Sequence, residues 1–431
     1  MPTQTAMTAI PPVGTTFNES SVFPDELTLR PTRRLTMYRD RNQTPTYHLH
    51  NGFSADSKYL ALMTRDHEGG SAILRAETAN GDLTVVDTTA PGATDHFEDG
   101  CYLTLWQQAG LIVSKLGTSA LLAYDLKTLG KRVLLDHLEP DYFYGHPAGS
   151  PDGRHLFIAK YHLPLDDTTH TIYLRIDLET GRKDELFRDD RSANVHILAH
   201  PSDPDLLLID RNYWPLYSGG GGGLGETTRN WILNIRTGAL TECRPRNASR
   251  FQIHSNWSAD GRFVYYHGVS PRPNPRSRDE KRGLLYDYTD RDWLLSCRGT
   301  DHYIGVADLD GNVVWEAEFP FFHYGHVCSH TTRPVIITDG LITPDMITAI
   351  YWQELDSLGL PRIEILGRHG TYWKTGQQFD PHCLMSADGR WLSYNRGYAD
   401  GRSDVYLMQL EAKIGVLGVD GRMSATPVRT Q

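Results

Sequence analysis

The chain has 431 residues, 39% of them hydrophobic and 10% aromatic, with 39 Gly and 24 Pro, the composition of a turn-rich globular β protein and not of a disordered one. Forty-three Lys and Arg against 53 Asp and Glu leave a net charge of −10, which opposes general affinity for nucleic acid or an anionic membrane, so an anionic ligand needs a local cluster of positive charge. No stretch approaches the roughly 20 apolar residues of a membrane span, and the first residues carry neither a basic start nor an apolar run, so a cytoplasmic location without membrane association is expected.

Residues 1–30 read as an N-terminal arm, followed by RRLTMY near residue 35, which has strand character. A turn signature then recurs, each copy leading into a β-rich run. The strong copies are SADSKYLALM from Ser54, SPDGRHLFIAK from Ser150, SADGRFVYYHG from Ser258 and SADGRWLSYN from Ser386. Weaker ones begin at Gln107, His200 and His330. Asp-Gly between apolar runs is a strong hairpin signal. Each unit is followed by a further strand and turn, from ILRAETANGDLTVV to a final VYLMQL. Repeats of roughly 40 to 50 residues with four short strands each mark a β-propeller, because one blade alone cannot bury both of its faces. The expectation is a single all-β domain, a seven-bladed β-propeller of four-stranded blades over residues 31–415. RRLTMY closes the last blade and 416–431 form a tail.

Ser270 to Cys297 lengthens the fifth unit as a surface excursion. Cys101, Cys243, Cys297, Cys328 and Cys383 are odd in number and scattered, and read as free buried thiols. Gly219 to Gly223 lacks the Gly-Lys-Ser/Thr of a phosphate loop, ADLDGN from Ala307 fits a hairpin, and no G-x-S-x-G is present.

Four positions before the turn-initiating residue stand His50, His146, His196, His254, His326 and His382; only the second unit differs, with Leu103. A position fixed relative to the turn recurs at one height on the innermost strand, so these imidazoles should ring the channel. Such a cluster is a source of metal ligands and of a proton acceptor. Beside His382, GQQFDPHC offers Gln377 or Gln378 and Asp380. Imidazoles with amide and carboxylate oxygens suit a borderline ion such as Mn²⁺ better than structural zinc.

The opening RLT, GFSADSKYLAL, TRNWILN with Arg229, HSNWSADG with His254, GHVCS with His326 and the final Q-x-x-D-P-H make the chain similar, over most of its length, to the oligogalacturonate lyases of polysaccharide lyase family twenty-two. That resemblance implies an intracellular seven-bladed propeller using Mn²⁺ to cleave 4-linked uronate oligosaccharides by β-elimination. It places Arg229 and His254 at the catalytic positions and His326, Gln377, Asp380 and His382 around the metal. Asp380 stands where the family's Gln-x-x-His-Pro-His cluster has its first histidine.

In such a reaction the C5 proton is removed and the C4 oxygen leaves, and a divalent ion on the C6 carboxylate acts as a Lewis acid. Neutral His254 is the expected general base, and Arg229 is expected to pair with the substrate carboxylate or steady the developing charge. His50, His146, His196 and Arg211 are candidates for contact with the acidic oligosaccharide. Two other readings stand beside this one: a lyase for another uronic acid such as glucuronate, and a non-catalytic scaffold that merely fills a wet channel with histidines. The sequence does not speak to oligomeric state.

Overall fold

The computed structural model describes residues 10–37, 41–66, 70–89, 103–115, 120–190, 192–193, 196–211, 229–244, 251–270, 301–319, 325–343, 345–372, 379–414 and 425–427. Gln377, Gln378, the Ser270 to Cys297 excursion beyond Ser270 itself, Gly219 to Gly223, Cys101 and Cys297 lie outside them. Every regular element among the described residues is a strand. Among them, no helix is long and apolar enough to cross a membrane.

The recurring turn is built by its own side chains. The Ser258 hydroxyl donates to Asp260 Oδ1 (2.7 Å) and accepts from Phe263 N–H (3.0 Å), while Arg262 N–H donates to Asp260 (3.1 Å). Ser54 and Ser386 repeat the pattern. These bonds satisfy backbone groups that the tight turn removes from the ladder. The residue after the Asp runs at positive φ, 74° at Gly153 and 71° at Gly261 and Gly389, with Ser57 taking the same conformation at 59° in the first unit. In two weaker copies an imidazole replaces the serine: His200 Nδ1 accepts from Ser202 and Asp203 N–H (3.2 and 2.9 Å), and His330 Nδ1 from Thr332 N–H (3.2 Å).

The hairpins assemble into small antiparallel sheets. Four-stranded ones run from Leu103–Trp106 to Lys131–Leu135, Ile197–Ala199 to Ala239–Glu242, Phe251–Trp257 to Val313–Phe319 and Val327–Ser329 to Pro361–Arg368. A five-stranded sheet spans Tyr142–Tyr144 to Lys183–Asp190. A ten-stranded sheet joins the beginning and end of the chain, its halves touching through one parallel pair, Ser403 with Asn42.

Against the end half, Pro31–Arg34 pairs antiparallel with Ser403–Gln409, and Ser21–Pro24 adds a strand outside it. The closing ladder therefore uses 31–34, not the whole of RRLTMY, and Ser21–Pro24, within the segment expected as an arm, extends it. It stops where Arg34 and Thr36 turn their side chains to the buried Asp404.

Most of the apolar clusters straddle neighbouring sheets. Ala61, Met63 and Ile73 meet Leu105, Ile112 and Tyr124; Phe157 and Tyr173 meet Ile197 and Leu207; Tyr265 and Ile304 meet Val327 and Ile336. Leu60, Leu62 and Leu74 meet Val405 and Leu407, so the two halves of the ten-stranded sheet pack on each other and the set closes on itself. Polar stitches follow the same path, among them Trp106 Nε1 to Ser150 O (3.0 Å), Thr331 Oγ1 to Ser386 O (2.6 Å) and Asp388 N to Ser57 Oγ (3.0 Å). The result is an all-β, propeller-like fold. On the turn side of its axis, residues from seven inner stretches line a cavity of about 390 Å³.

Gly149 shows how tightly these stretches approach the axis. A Cβ there would stand 2.2 Å from the Trp106 ring, a rigid neighbour buried at 2% exposure. Gly149→Ala is expected to destabilise the chain by about 1–3 kcal/mol through overpacking, read as a lower midpoint of denaturant unfolding. An unchanged midpoint would mean that Trp106 does not occupy this position.

Candidate metal centre in the channel

The six expected histidines do converge on the axis, but not from regular strand. His254 lies in a bulge, where the register with the next strand shifts between Gln252 and Ser255. His146 falls between Tyr142–Tyr144 and Ala148–Gly149, and His196 and His326 immediately precede Ile197–Ala199 and Val327–Ser329. His382 takes φ 47°, held by Asn395 N–H on Pro381 O (2.7 Å). At each histidine the inner ladder starts, stops or bulges. A break frees the side chain from strict alternation and re-aims it toward the axis.

The first sheet has the longest break. Its inner strand Arg41–Pro45 ends early and pairing resumes only at Phe53, leaving 46–52 to enter the channel. A tight turn, His50 N–H to Tyr47 O (2.8 Å) and Thr46 Oγ1 to His50 O (3.0 Å), shapes this segment. Leu49 packs with Leu198 and Trp257 across the axis. The Tyr47 ring lies between 4.9 and 6.4 Å from the rings of His146, His196, His326 and His382. His48 reaches the opposite group, 4.3 Å from the His326 ring and 4.8 Å from that of His254.

Among the described residues, two groups have ligand-capable atoms all within 4.8 Å of one another: His326 with Asp380 and His382, and His48 with His254 and His326. All five residues are buried, none more than 5% exposed. Asp339 orients the shared member. Its Oδ1 accepts from His326 N–H (2.6 Å) and lies 3.2 Å from His326 Nδ1, and its Oδ2 accepts from Cys383 N–H (3.2 Å). A carboxylate on Nδ1 puts the proton there and leaves Nε2 as the donor atom for a cation, the usual arrangement around metal-bound histidines. Nε2 stands 4.0 Å from Asp380 Oδ2. The donor set of imidazoles and a carboxylate, buried and oriented in this way, fits a divalent ion.

His254 is fixed similarly. Gly325 O, which can only accept, lies 3.2 Å from its Nδ1, and His267 Nε2 lies 2.8 Å from the same atom. The proton on Nδ1 leaves the Nε2 lone pair facing the cluster. Burial, then neighbouring His326 and His267, hold the His254 pKa well below its ordinary value, so the ring is neutral near pH 7. Burial likewise depresses His48 and His382, and takes His50 down to about 3.

Arg229 turns to a buried partner. Its Nε and Nη2 donate to Asp210 Oδ2 (2.9 and 2.8 Å), and Asp210 also meets His196 Nδ1 (2.9 Å) and Asn230 Nδ2 (2.6 Å). Burial works to raise the Asp210 carboxyl, but Arg229 and His196 outweigh it and hold it below the usual range. Arg211 pairs with Asp189 (2.7 and 2.9 Å) and lies over Trp231. His50 and His146 stack at 4.9 Å. His48, Asp210, His267 and Asp339 are absent from the sequence reading. The YHLH run carries a signal for His48, which alternates with His50, whereas Asp339 sits in TDG and reads as a turn residue.

No family model matches the chain, and no curated protein matches it. Among solved structures, an oligogalacturonate lyase in complex with manganese superposes with a TM-score of 0.70 at 16% identity, covering 92% of this chain and 98% of the other. An oligogalacturonate lyase from Vibrio parahaemolyticus gives a TM-score of 0.67 at 14% identity, covering 95% and 100%. At these identities the likeness shows a shared fold.

Neutral buried histidines make stability acid-sensitive. Their folded pKa values lie below the ordinary 6.5, so their contribution is complete above that pH and is lost as pH falls through it, by up to about 1.4 kcal/mol per pH unit for each histidine. With a chelator present, urea unfolding is expected to show a falling stability below about pH 6.5, and His50→Gln a shallower slope between there and about pH 3. A stability independent of pH across this window would contradict neutral burial.

Proposed function

We propose that the chain is a seven-bladed propeller, one ring over about residues 31–415, whose channel cleaves 4-linked uronate oligosaccharides by metal-assisted β-elimination in the cytoplasm, as an oligogalacturonate lyase does. The observation that carries this reading is the His326, Asp380 and His382 group beside a neutral, oriented His254. The seven inner stretches around the cavity support the blade count. The fold shared with two oligogalacturonate lyases, one of them a manganese complex, supports the reaction class.

His326, Asp380 and His382, with Gln377 from outside the described residues, would hold the ion, proposed as Mn²⁺. When bound it supplies Lewis acidity toward the substrate carboxylate. His254 presents Nε2 as the proton acceptor for C5, and Gly325 O and His267 keep its ring from turning. Arg229 contributes a permanent charge held in place by Asp210. Because Nε and Nη2 already face that carboxylate, its role is to steady developing negative charge and to position His196 (3.3 Å), more than to grip the substrate by that edge. His196, whose side chain is 21% exposed, is the proposed substrate contact nearest solvent, with His50, His146 and Arg211 deeper. Low exposure throughout the group excludes water from the reacting carbon.

The test is absorbance of the conjugated alkene when the Mn²⁺-loaded chain meets digalacturonate, trigalacturonate and a panel including glucuronate-containing oligomers. A rise with one of them is expected, and silence across the whole panel would refute the lyase. His254→Ala should keep the metal stoichiometry and lower kcat by roughly 10²- to 10⁴-fold. Near-normal turnover in that variant would pass the base role to another ring histidine.

A further inference from the structure

His48 belongs to no repeat position, yet it is 1% exposed and both of its ring nitrogens are buried with no hydrogen-bond partner among the described residues. We infer that His48, His254 and His326 form a second cation position, selective for an imidazole-preferring divalent ion such as Zn²⁺, which excludes an ion at His326, Asp380 and His382 because both positions draw on the same His326 Nε2.

Three features support it. The ligand-capable atoms of the three histidines lie within 4.8 Å of one another. Zinc to nitrogen bonds of about 2.0–2.1 Å place tetrahedral ligands roughly 3.4 Å apart, so modest ring rotations close the site. Second, two of the three rings are already oriented as ligands: Asp339 on His326 Nδ1 and Gly325 O on His254 Nδ1 direct both Nε2 lone pairs inward. Third, His48 comes from the inner segment 46–52, which enters the channel and which Asn256 Nδ2 anchors across the axis through His48 O (3.4 Å).

The two positions differ in chemistry. Three imidazoles without an anionic oxygen favour Zn²⁺ or its neighbours in the transition series, whereas Asp380 draws a harder ion such as Mn²⁺ to the other position. One nitrogen lone pair serves one ion, so occupancy is exclusive. Occupying the second position also takes the His254 Nε2 lone pair. This last consequence rests on the lyase reading, and makes Zn²⁺ its inhibitor; the binding claim stands apart from it.

Metal-free full-length protein is titrated calorimetrically with Zn²⁺ and with Mn²⁺, with thermal melting as the control for folding. His48→Phe should weaken Zn²⁺ about 10-fold or more and leave Mn²⁺ nearly unchanged, and Asp380→Asn should do the reverse. Zn²⁺ should displace Mn²⁺ one for one from the wild-type chain. Unchanged Zn²⁺ affinity in His48→Phe, or one ion of each kind bound together, overturns the proposal. If His48→Phe does not fold, the Co²⁺-loaded wild-type spectrum decides: intense tetrahedral bands are expected, and the weak absorption of a six-coordinate ion overturns it. Should neither Zn²⁺ nor Mn²⁺ bind the wild type, the metal reading under the proposed function falls too; Mn²⁺ binding with Zn²⁺ indifferent to His48→Phe overturns this inference alone.

Discussion

Closing small twisted sheets into a ring leaves an axial space that their regular side chains do not fill, and in this chain the segment 46–52 fills it. Tyr47 touches imidazoles brought from four inner segments, His48 meets two of the histidines opposite, and Leu49 joins the apolar cluster between the two sheets across the axis. The break in the first inner strand that releases this segment is thus what packs the histidines against one another. Without it the imidazoles would line a wet channel. With it they pack close together, and all but His196 are buried.

Neutrality follows from crowding. An imidazolium in this cluster would lose hydration and face other imidazoles within 5 Å, which is why burial stands first among the causes depressing His48, His146, His254, His267 and His382. The carboxylates are placed with equal economy. Asp339 serves His326, Asp210 serves Arg229 and His196, and Asp380 alone stands in a candidate metal group. A buried carboxylate with a defined partner fixes a tautomer or an orientation, and the cluster's chemistry depends on those orientations as much as on the ligands themselves.

The cavity on the turn side is lined by His48 and His50 but by none of the other ring histidines. The His326, Asp380 and His382 group is thus not part of that volume's lining.

Much of the architecture was legible in the chain itself, because a Ser-x-Asp-Gly turn carries its own hydrogen bonds and positive φ, and because His50, His146, His196, His254, His326 and His382 keep a constant distance from it. Local chemistry of that kind needs no partner from elsewhere in the sequence. The identity of the ring histidines, Asp380 beside them and the hairpin at Asp308 belong to this class. What only the tertiary structure decided is which atoms meet across the axis. Pro31–Arg34 as the closing strand, Asp339 behind His326, Asp210 on Arg229 and His48 against His254 all join residues whose pairing depends on where the inner ladders break. Each of these contacts joins residues from different strands, so no local pattern along the chain announces it.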